Sequence, residues 1–424
     1  MTPAELARAA RSASRKVQSL SSADRQYGLE AMAAALCERQ QEILKANAMD
    51  VADAQLRVQA GDMSSALAAR LKLTEEKLVV LAEGLRSLAQ QEEPLGRVLR
   101  HSTLAEGLEL TQETVALGVV LVIFESRPDV LPQLAGLALR SGNGLLLKGG
   151  REAIHSNRKL HEVLVEAVEP RLPGSLFGLV ETREEVGALL SLDDCIDLVV
   201  PRGSAEMVRS IQEGTRIPVL GHADGICHVF VDKDAHAEKA EAIVVDAKTD
   251  YPAACNAMET LLIHSEYPSA QGLLSALAEA GVRVFGGPRA AEAHSLPRAQ
   301  SLSHEYGDLA VCVEIVDGVG QAIEHIHAHG SGHTESVVTE SEAVARQFLS
   351  GVDSACVFHN ASTRFADGFR FGLGAEVGIS TARIHARGPV GVDGLLTTRW
   401  RLTGQGDTVG PFSRGEREFL HSSS

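Results

Sequence analysis

The feature that most constrains this chain is an alternation of short apolar runs with helical stretches, which begins near residue 118. A continuous apolar run at 118–124 and a second predicted buried strand at 144–148 are followed by helical patterns at 130–139 and 153–168. A continuous apolar run is typical of a strand with both faces buried. Strands of this kind separated by helices predict a mainly parallel sheet covered by helices.

The chain is long enough for more than one unit of this kind. Its 424 residues exceed the length at which a single hydrophobic core stops growing, so two or three domains are expected. Spaced apolar positions predict helices within 2–48 and 67–90. A second α/β unit begins near His228, with strands predicted at 229–231, 282–285, 311–315, 336–339 and 356–358.

Charge and composition argue against several classes of protein. The formal net charge of −16 and the 4% aromatic content disfavour a nucleic-acid-binding surface. The N-terminus lacks the apolar segment of a secretory signal, and the apolar runs are too short to span a bilayer. The cysteines form no C-x-x-C pair, which disfavours a disulfide framework and favours a reducing, cytoplasmic compartment; they are Cys37, Cys195, Cys227, Cys255, Cys312 and Cys356.

The histidines invite a metal hypothesis, which the sequence does not support. Three of them, His325, His327 and His329, alternate as they would on a strand or loop, with His333 close behind. No H-E-x-x-H pattern occurs. We therefore predict no metal site.

Cys255 is the candidate nucleophile. Small residues surround it in the segment YPAACNAME at 251–259, so a substrate could reach its sulfur. A helix predicted to begin at Asn256 or Ala257 would place N–H groups and a positive dipole end beside the thiol. These features favour the thiolate and could bind an oxyanion. From this segment alone, a buried structural cysteine is an equally good interpretation.

Five ordered segments carry a resemblance to a known family. They are FESRPD at 124–129, SGN through LKGG at 141–150, IPVLGHADG at 217–225, YPAACNAME at 251–259 and GLGAEVGISTARIHARGP at 372–389. With these segments the chain resembles the γ-glutamyl phosphate reductases, both the separate bacterial enzymes and the C-terminal half of bifunctional Δ1-pyrroline-5-carboxylate synthase. The resemblance implies an α/β, aldehyde-dehydrogenase-like fold and puts the family nucleophile at Cys255.

The resemblance also implies the domain organisation and the assembly. We expect a homo-oligomer built through a small β extension, whose strands near residues 108 and 395 could pair across subunits. The expected parts are a Rossmann-like NADPH-binding domain at 1–227 (with 108–117 joining the extension), an α/β catalytic domain at 228–360, a return to the cofactor domain at 361–388, an oligomerisation strand at 389–415 and a tail at 416–424.

One candidate cofactor segment is Lys148-Gly149-Gly150-Arg151, which follows a predicted strand and precedes a helix. Two glycines would let a ligand approach the backbone closely, although an ordinary strand-to-helix turn is at least as good an interpretation. The resemblance implies that Lys148 reaches the adenosine ribose. A guanidinium at Arg151 pairs with a phosphate better than with ribose hydroxyls, which favours NADPH over NADH. The alternative for Arg151 is a solvated residue at a helix start.

Two further cofactor contacts are implied by the resemblance. Arg202-Gly203-Ser204 resembles a turn that contacts the cofactor pyrophosphate, and a helix start there would favour an anion. Glu376 resembles the glutamate that holds the nicotinamide ribose. Without the family match, a surface carboxylate in a loop would be the better interpretation of Glu376.

The resemblance, together with one missing residue, predicts reduction rather than oxidation. Oxidising relatives hydrolyse their thioester with a glutamate base a little over thirty residues before the nucleophile. The corresponding stretch here is GHADG at 221–225, and no Glu occurs between Glu213 and Glu238. Either His222 or Asp224 could act in its place.

The predicted reaction is the NADPH-dependent reduction of γ-glutamyl 5-phosphate to glutamate 5-semialdehyde through a thioester on Cys255. Asn256 or Ser126 is the candidate second oxyanion donor. Candidate substrate-binding cations are Arg127, Arg364 and Arg387, for which structural pairing with neighbouring acids is a close alternative.

Two other functions stay open at this point. One is reduction of another acyl phosphate or an acyl-CoA, and the other is a non-catalytic scaffold of the same fold that assembles with a kinase. We expect a freestanding cytoplasmic enzyme, with glutamate 5-kinase as a candidate partner.

Overall fold

The computed structural model describes residues 1–423. The α-helices are α1 (Pro3–Gln18), α2 (Ser22–Glu38), α3 (Gln40–Gln59), α4 (Ser65–Arg70), α5 (Glu75–Gln90), α6 (Val130–Ser141), α7 (Ile154–Val168), α8 (Arg183–Leu189), α9 (Ala205–Gly214), α10 (Ala237–Thr249), α11 (Ala270–Glu279), α12 (Pro288–His294), α13 (Val319–His329), α14 (Glu342–Gly351) and α15 (Gly410–Ser413). The strands are β1 (Val98–Ala105), β2 (Leu108–Ala116), β3 (Val119–Phe124), β4 (Gly144–Lys148), β5 (Phe177–Val180), β6 (Leu198–Arg202), β7 (Cys227–Val231), β8 (Met258–His264), β9 (Arg283–Gly286), β10 (Ala310–Val316), β11 (Thr334–Val338), β12 (Cys356–His359), β13 (Ile379–Ser380), β14 (Gly388–Pro389), β15 (Leu396–Thr403) and β16 (Ser422–Ser423).

The residues before β1 are helical, as their apolar spacing predicts. Helix α1 begins with a capping box, in which the Thr2 side chain accepts from the N–H of Glu5 and the Glu5 carboxylate accepts from the N–H of Thr2. Ser64 and Thr74 cap α4 and α5 in a similar way, each through its hydroxyl oxygen. The caps explain why the helical region is divided into separate helices.

The first parallel sheet has the strand order β5-β4-β3-β6. Every residue of β3 is buried, and apolar clusters pack against both faces of the sheet. This confirms the strands predicted at 118–124 and 144–148. The apolar segment at 218–220 adds only a single parallel bridge, between Val199 and Val219. We call this sheet the apolar sheet.

The second parallel sheet has the order β12-β11-β7-β8-β10-β9. The strands predicted for the second unit therefore form one sheet, with helices α10 to α14 between them in sequence. Several strand positions carry fully buried polar side chains, among them His228, Glu259 and Glu335. We call this sheet the polar sheet.

A third, antiparallel sheet has the order β15-β2-β1-β16. Strands β2 and β15 pair with each other inside the chain, from Leu396 opposite Ala116 to Thr403 opposite Glu109. The expectation that these two segments pair across subunits is therefore wrong for the edge they share. The tail predicted at 416–424 includes β16, and its last residue, Ser424, lies outside the described residues.

Two local predictions are wrong. No helix begins at Asn256 or Ala257, because the chain enters β8 at Met258 and pairs there with β7 and β10. Pairing on both sides outweighs the helix preference of Ala, Met and Glu in this segment. In addition, His325, His327 and His329 lie on helix α13 rather than on a strand or loop.

Within residues 1–423, none of the helices combines the length and the apolar character needed to cross a membrane.

Candidate active site

A cavity of about 560 Å³ opens where the carboxyl end of β6 faces the amino-terminal end of β8. The cofactor candidates Arg202, Gly203 and Ser204 line one side, and Cys255 with Asn256 lines another. Ligand sites in α/β proteins commonly lie at the carboxyl ends of parallel strands. The structure thus joins segments that are about fifty residues apart in sequence.

Cys255 is held in a tight turn that leads directly into β8. The turn is closed by hydrogen bonds from the N–H of Ala254 to the carbonyl of Tyr251 (3.0 Å) and from the N–H of Ala257 to the carbonyl of Ala254 (2.9 Å). The Cys227 thiol donates to the Cys255 carbonyl at 3.3 Å. Cys255 itself is only half-buried. The position of the candidate nucleophile is therefore fixed by a turn, not by the predicted helix start.

Gly225 packs against the backbone of this turn. A Cβ atom added at Gly225 would overlap the Cα and carbonyl group of Cys255. The N–H of Gly225 donates to Glu305 at 3.0 Å. A side chain at this position would push the nucleophile from its place.

Two backbone donors adjoin the sulfur. Among the hydrogen bonds within residues 1–423, none uses the N–H of Cys255 or of Asn256 as a donor. The Asn256 side chain is buried, and its Nδ2 donates to the Ala366 carbonyl at 2.8 Å. Its amide is thus already engaged, whereas the two backbone N–H groups are available to an oxyanion.

Ser126 lies between two residues of the lining, Glu125 and Arg127, but its side chain binds Glu152 instead. Its hydroxyl donates to Glu152 at 2.7 Å, and its N–H donates to the same carboxylate at 2.6 Å. The residue has a left-handed backbone with φ of 48° and does not contribute to the lining of the cavity. The structure therefore brings Asn256, but not Ser126, beside the nucleophile.

The three predicted arginines have different surroundings. Arg127 lines the cavity and makes no ion pair within 4 Å among the described residues. Arg364 also lines it, is buried, and donates to Asp250 at 3.2 Å. Arg387 is not part of the lining and donates to Asp353 at 2.7 Å.

The predicted cofactor residues fall into two places. Ser204 caps helix α9 by accepting from the N–H of Met207, so the positive end of that helix points at the cavity. A second, smaller cavity is lined by Gly149, Gly150 and Arg151, beyond Lys148 at the end of β4. This arrangement brings the two predicted segments to the carboxyl ends of β4 and β6, on either side of β3 in the apolar sheet.

Charged groups face each other across the main cavity. Glu376 lies in the lining and accepts from the N–H of Gly368 at 2.8 Å. Burial raises the pKa of Glu376, and the nearby Arg202 guanidinium opposes that rise. Burial likewise lowers the pKa of Arg202, against the attraction of Glu376. The two groups therefore offer a donor and an acceptor side by side.

Other cysteines are poor nucleophiles by comparison. Burial raises the pKa of Cys312 to about 12 and that of Cys356 to about 11, and it raises the pKa of Cys227 well above its ordinary value. Because the thiolate is the reactive form, these three residues remain inert thiols.

Sequence reasoning missed several residues at the site. His333 lies near Cys255, since one ligand-capable atom from each of Cys255, His222 and His333 falls within 4.8 Å of the others. Arg70 and Glu305 also line the cavity. No local signal marks these residues, because each reaches the site from a distant segment.

Residues 3–294 match the family model described as "Aldehyde dehydrogenase family". The chain belongs to the aldehyde dehydrogenase family. This membership confirms the predicted fold class and makes the chain an oxidoreductase of a family that uses a nicotinamide cofactor.

Relatives of the chain confirm the predicted resemblance. It is 55% identical to Delta-1-pyrroline-5-carboxylate synthase A of Arabidopsis thaliana over 96% of this chain and 56% of that protein. It is 48% identical to Gamma-glutamyl phosphate reductase of Natronomonas pharaonis over 96% of this chain and 94% of that protein. The chain thus spans little more than half the length of the plant synthase and almost the whole of the reductase.

A solved structure agrees with these relatives. The Gamma-glutamyl phosphate reductase of Thermotoga maritima superposes with a TM-score of 0.91 at 34% identity, over 96% of this chain and 100% of the other.

Proposed function

We propose that this chain reduces γ-glutamyl 5-phosphate to glutamate 5-semialdehyde and phosphate with NADPH, the second step of proline biosynthesis. The observation that carries the proposal is the half-buried Cys255 in a cavity shared with the cofactor candidates Arg202, Ser204 and Glu376. The names of the two relatives agree with this reaction.

The chemistry begins at the Cys255 sulfur. As a thiolate, it attacks the γ-acyl carbon of the substrate, the C–O bond to phosphate breaks, and a thioester forms. The oxyanion of this step would accept from the N–H groups of Cys255 and Asn256, which have no other acceptor among the described residues. A rigid turn keeps both donors in place, so little reorganisation is needed during the reaction.

The substrate carries a phosphate and an α-carboxylate, which need cationic partners. Arg127 is the strongest candidate, because its guanidinium faces the cavity without an ion-pair partner among the described residues. Arg364 is already oriented by Asp250. Arg70 lines the same cavity and joins the candidates. Arg387 is the weakest, since Asp353 already binds it.

The residues present fit a nicotinamide dinucleotide. The N-terminus of α9 offers N–H groups to a pyrophosphate, and Glu376 offers an acceptor for ribose hydroxyls. Near Gly149 and Arg151, the buried Asn157 Oδ1 has no hydrogen-bond partner among the described residues. Such an orphaned acceptor suits a ligand hydroxyl or amino group. When bound, NADPH supplies hydride to the thioester carbon.

The surroundings of the thioester favour its survival in water. The stretch 221–225 offers no glutamate base, and its Asp224 pairs with Arg209. Glu305, which lines the cavity, accepts from the N–H of Gly225. These two carboxylates are thus engaged, which supports reduction over hydrolysis; His222, which lies beside Cys255, is the candidate base that remains in this stretch.

Assembly and location are also proposals. Strand β15 shows a long exposed face, with Trp400 51% and Leu402 56% exposed. An exposed apolar edge of this kind is ordinarily covered, which supports a homo-oligomer formed through the antiparallel sheet. We further propose a cytoplasmic enzyme that acts beside glutamate 5-kinase.

Replacing Cys255 by Ala tests the central claim. In the reverse direction, phosphate-dependent reduction of NADP by the semialdehyde should fall by roughly three orders of magnitude or more. The matched control is Cys37→Ala, on helix α2, which should keep its rate. Near-full activity of Cys255→Ala would exclude the thioester mechanism, and equal activity with coenzyme A in place of phosphate would exclude the acyl phosphate.

Replacing Arg151 by Glu tests the choice of cofactor. The variant should lose most of the stabilisation that NADPH gives in thermal unfolding and should bind NADH better, because a carboxylate accepts from ribose hydroxyls and repels a phosphate. The exposed Arg346→Glu on α14 is the control for an equal change in net charge. An unchanged preference would remove Arg151 from the cofactor site.

A further inference from the structure

We infer that Cys255, His222 and His333 form a binding site for a thiophilic divalent cation, Zn²⁺, which switches the enzyme off by occupying its nucleophile. The inference rests on the proposed role of Cys255 and adds a means of regulation to the same site. One ligand-capable atom from each of the three residues lies within 4.8 Å of the other two. One thiolate with two imidazoles is a donor set that zinc prefers.

A hydrogen bond fixes which ring nitrogen of His222 is free to bind a metal ion. Nδ1 of His222 lies 2.7 Å from the carbonyl of Ile379 and must donate to it. That bond fixes the tautomer and leaves Nε2 with its lone pair. A ligating histidine that donates its other ring N–H to a carbonyl is the usual support around a bound metal.

His333 supplies the independent observation. Its side chain is fully buried, and its Nε2 has no hydrogen-bond partner among the described residues. Its Nδ1 lies 2.8 Å from the Thr334 hydroxyl, to which it can donate. A buried nitrogen without a partner is costly, and a metal ion at the cavity wall would satisfy it.

The three ligand atoms need to move only a little closer together to bind one zinc ion. Around a tetrahedral zinc the ligand atoms lie roughly 3.3–3.8 Å apart, so the observed separations must shrink by no more than about 1.5 Å. Cys255 and His222 are both partly exposed, so their side chains can turn toward the ion. The cavity leaves a fourth position open for water.

Binding exchanges the proton of the Cys255 thiol for the zinc ion. The Cys255 thiol loses its proton to solvent, and the sulfur forms a bond to Zn²⁺ while two neutral imidazoles donate their lone pairs. The zinc-bound sulfur can no longer attack the acyl phosphate. Inhibition is therefore competitive with formation of the thioester and is reversed by a chelator.

Cobalt binding tests the inference without any turnover. The full chain, stripped with a chelator, is titrated with Co²⁺, whose thiolate charge-transfer and d–d absorption bands report sulfur ligation and coordination number. We expect the bands of a four-coordinate cobalt thiolate and their disappearance when Zn²⁺ is added. Cys255→Ala should abolish the charge-transfer band.

The histidine variants complete the test. His222→Asn and His333→Asn should each weaken Co²⁺ and Zn²⁺ binding at least about tenfold, while the exposed His236→Asn on the N-terminal side of α10 should bind like the wild type. If His333→Asn fails to fold, His222→Asn still tests whether a histidine side chain contributes to metal binding. A charge-transfer band that survives in Cys255→Ala, or histidine variants that bind as tightly as the wild type, would overturn the inference.

The outcome is separable from that of the proposed function. A chain that reduces γ-glutamyl phosphate but binds no cobalt would refute this site alone. A chain that binds cobalt through Cys255 but has no reductase activity would refute the proposed reaction alone.

Discussion

Both parallel sheets are covered by helices, but the buried side chains of the apolar sheet are apolar, whereas the polar sheet also buries polar and ionisable side chains. In the apolar sheet, the central strand β3 reads VVLVIF and every residue is buried. The polar sheet instead buries ionisable side chains: His228 Nδ1 of β7 lies 2.9 Å from Glu335 of β11, and Lys248 of α10 lies 2.9 Å from Glu259 of β8. All four of these side chains are essentially inaccessible to solvent.

The difference follows from what each sheet supports. Strands β4 and β6 of the apolar sheet contribute only their ends to the candidate site, at Lys148 and Arg202. In the polar sheet, β8 continues directly from the nucleophile turn, and Glu259 also accepts from the N–H groups of Tyr306 (3.1 Å) and Gly307 (3.3 Å). Directional bonds of this kind hold the strand in one register, four residues from Cys255.

The largest expected effect comes from breaking the buried pair in the polar sheet. Lys248→Met should lower the free energy of unfolding by about 3–5 kcal/mol, because it leaves the Glu259 charge buried without its cation. Adding Glu259→Leu should recover a large part of that loss. Urea unfolding measures both variants. A double variant as unstable as Lys248→Met would show that the ion pair is not the source of the effect.

A truncation in the apolar sheet should behave differently. Leu147→Ala in β4 should lower the free energy of unfolding by about 3 kcal/mol, since it leaves a cavity at a fully buried position. Val122 pairs with Leu147 across the strands, and Val122→Ala should add to the loss rather than relieve it. Rescue by this second truncation, seen in the same urea experiment, would contradict the contrast between the sheets.

The turn that carries Cys255 gives a smaller effect, which we expect to see in activity. Gly225→Ala should lower kcat/KM by roughly a hundredfold, because its Cβ displaces the Cys255 backbone and small displacements of a reacting group are costly. Gly272→Ala on α11 is the matched control, since no neighbouring atom lies within 4 Å of the Cβ that it would gain. Equal rates for the two variants would show that the turn adjusts freely.

The smallest effect is a dependence of stability on pH. His325 on α13 packs its ring 5.6 Å from His228, and burial lowers the pKa of His325 from 6.5 to about 3. At a pH between these two values, His325 is protonated in the unfolded chain and neutral in the folded chain. The stability is thus complete above pH 6.5 and falls as the pH drops toward 3.

Unfolding free energies at pH 7 and pH 5 check this assignment. His325→Leu should lose less stability than the wild type over that interval, by on the order of 1 kcal/mol after allowance for partial exposure. The exposed His236→Asn should follow the wild type. Identical pH dependence in His325→Leu and the wild type would assign the loss to other groups.

Much of the chain was predictable because its signals are local. Continuous apolar runs identified β3 and β4, and spaced apolar residues identified the N-terminal helices. The small residues around Cys255 singled out the nucleophile, although an isolated cysteine left a structural role equally open. The family segments then favoured the nucleophile.

Residues adjacent in the chain were enough to predict the alternation of strands and helices, the candidate nucleophile and the glycine turns. Contacts between distant segments settled that no helix separates Cys255 from β8, that Ser126 binds Glu152, and that His333 lies near Cys255. The physical reason is that pairing partners and buried neighbours come from distant segments. Their contributions outweigh local preference, and no window of sequence contains them.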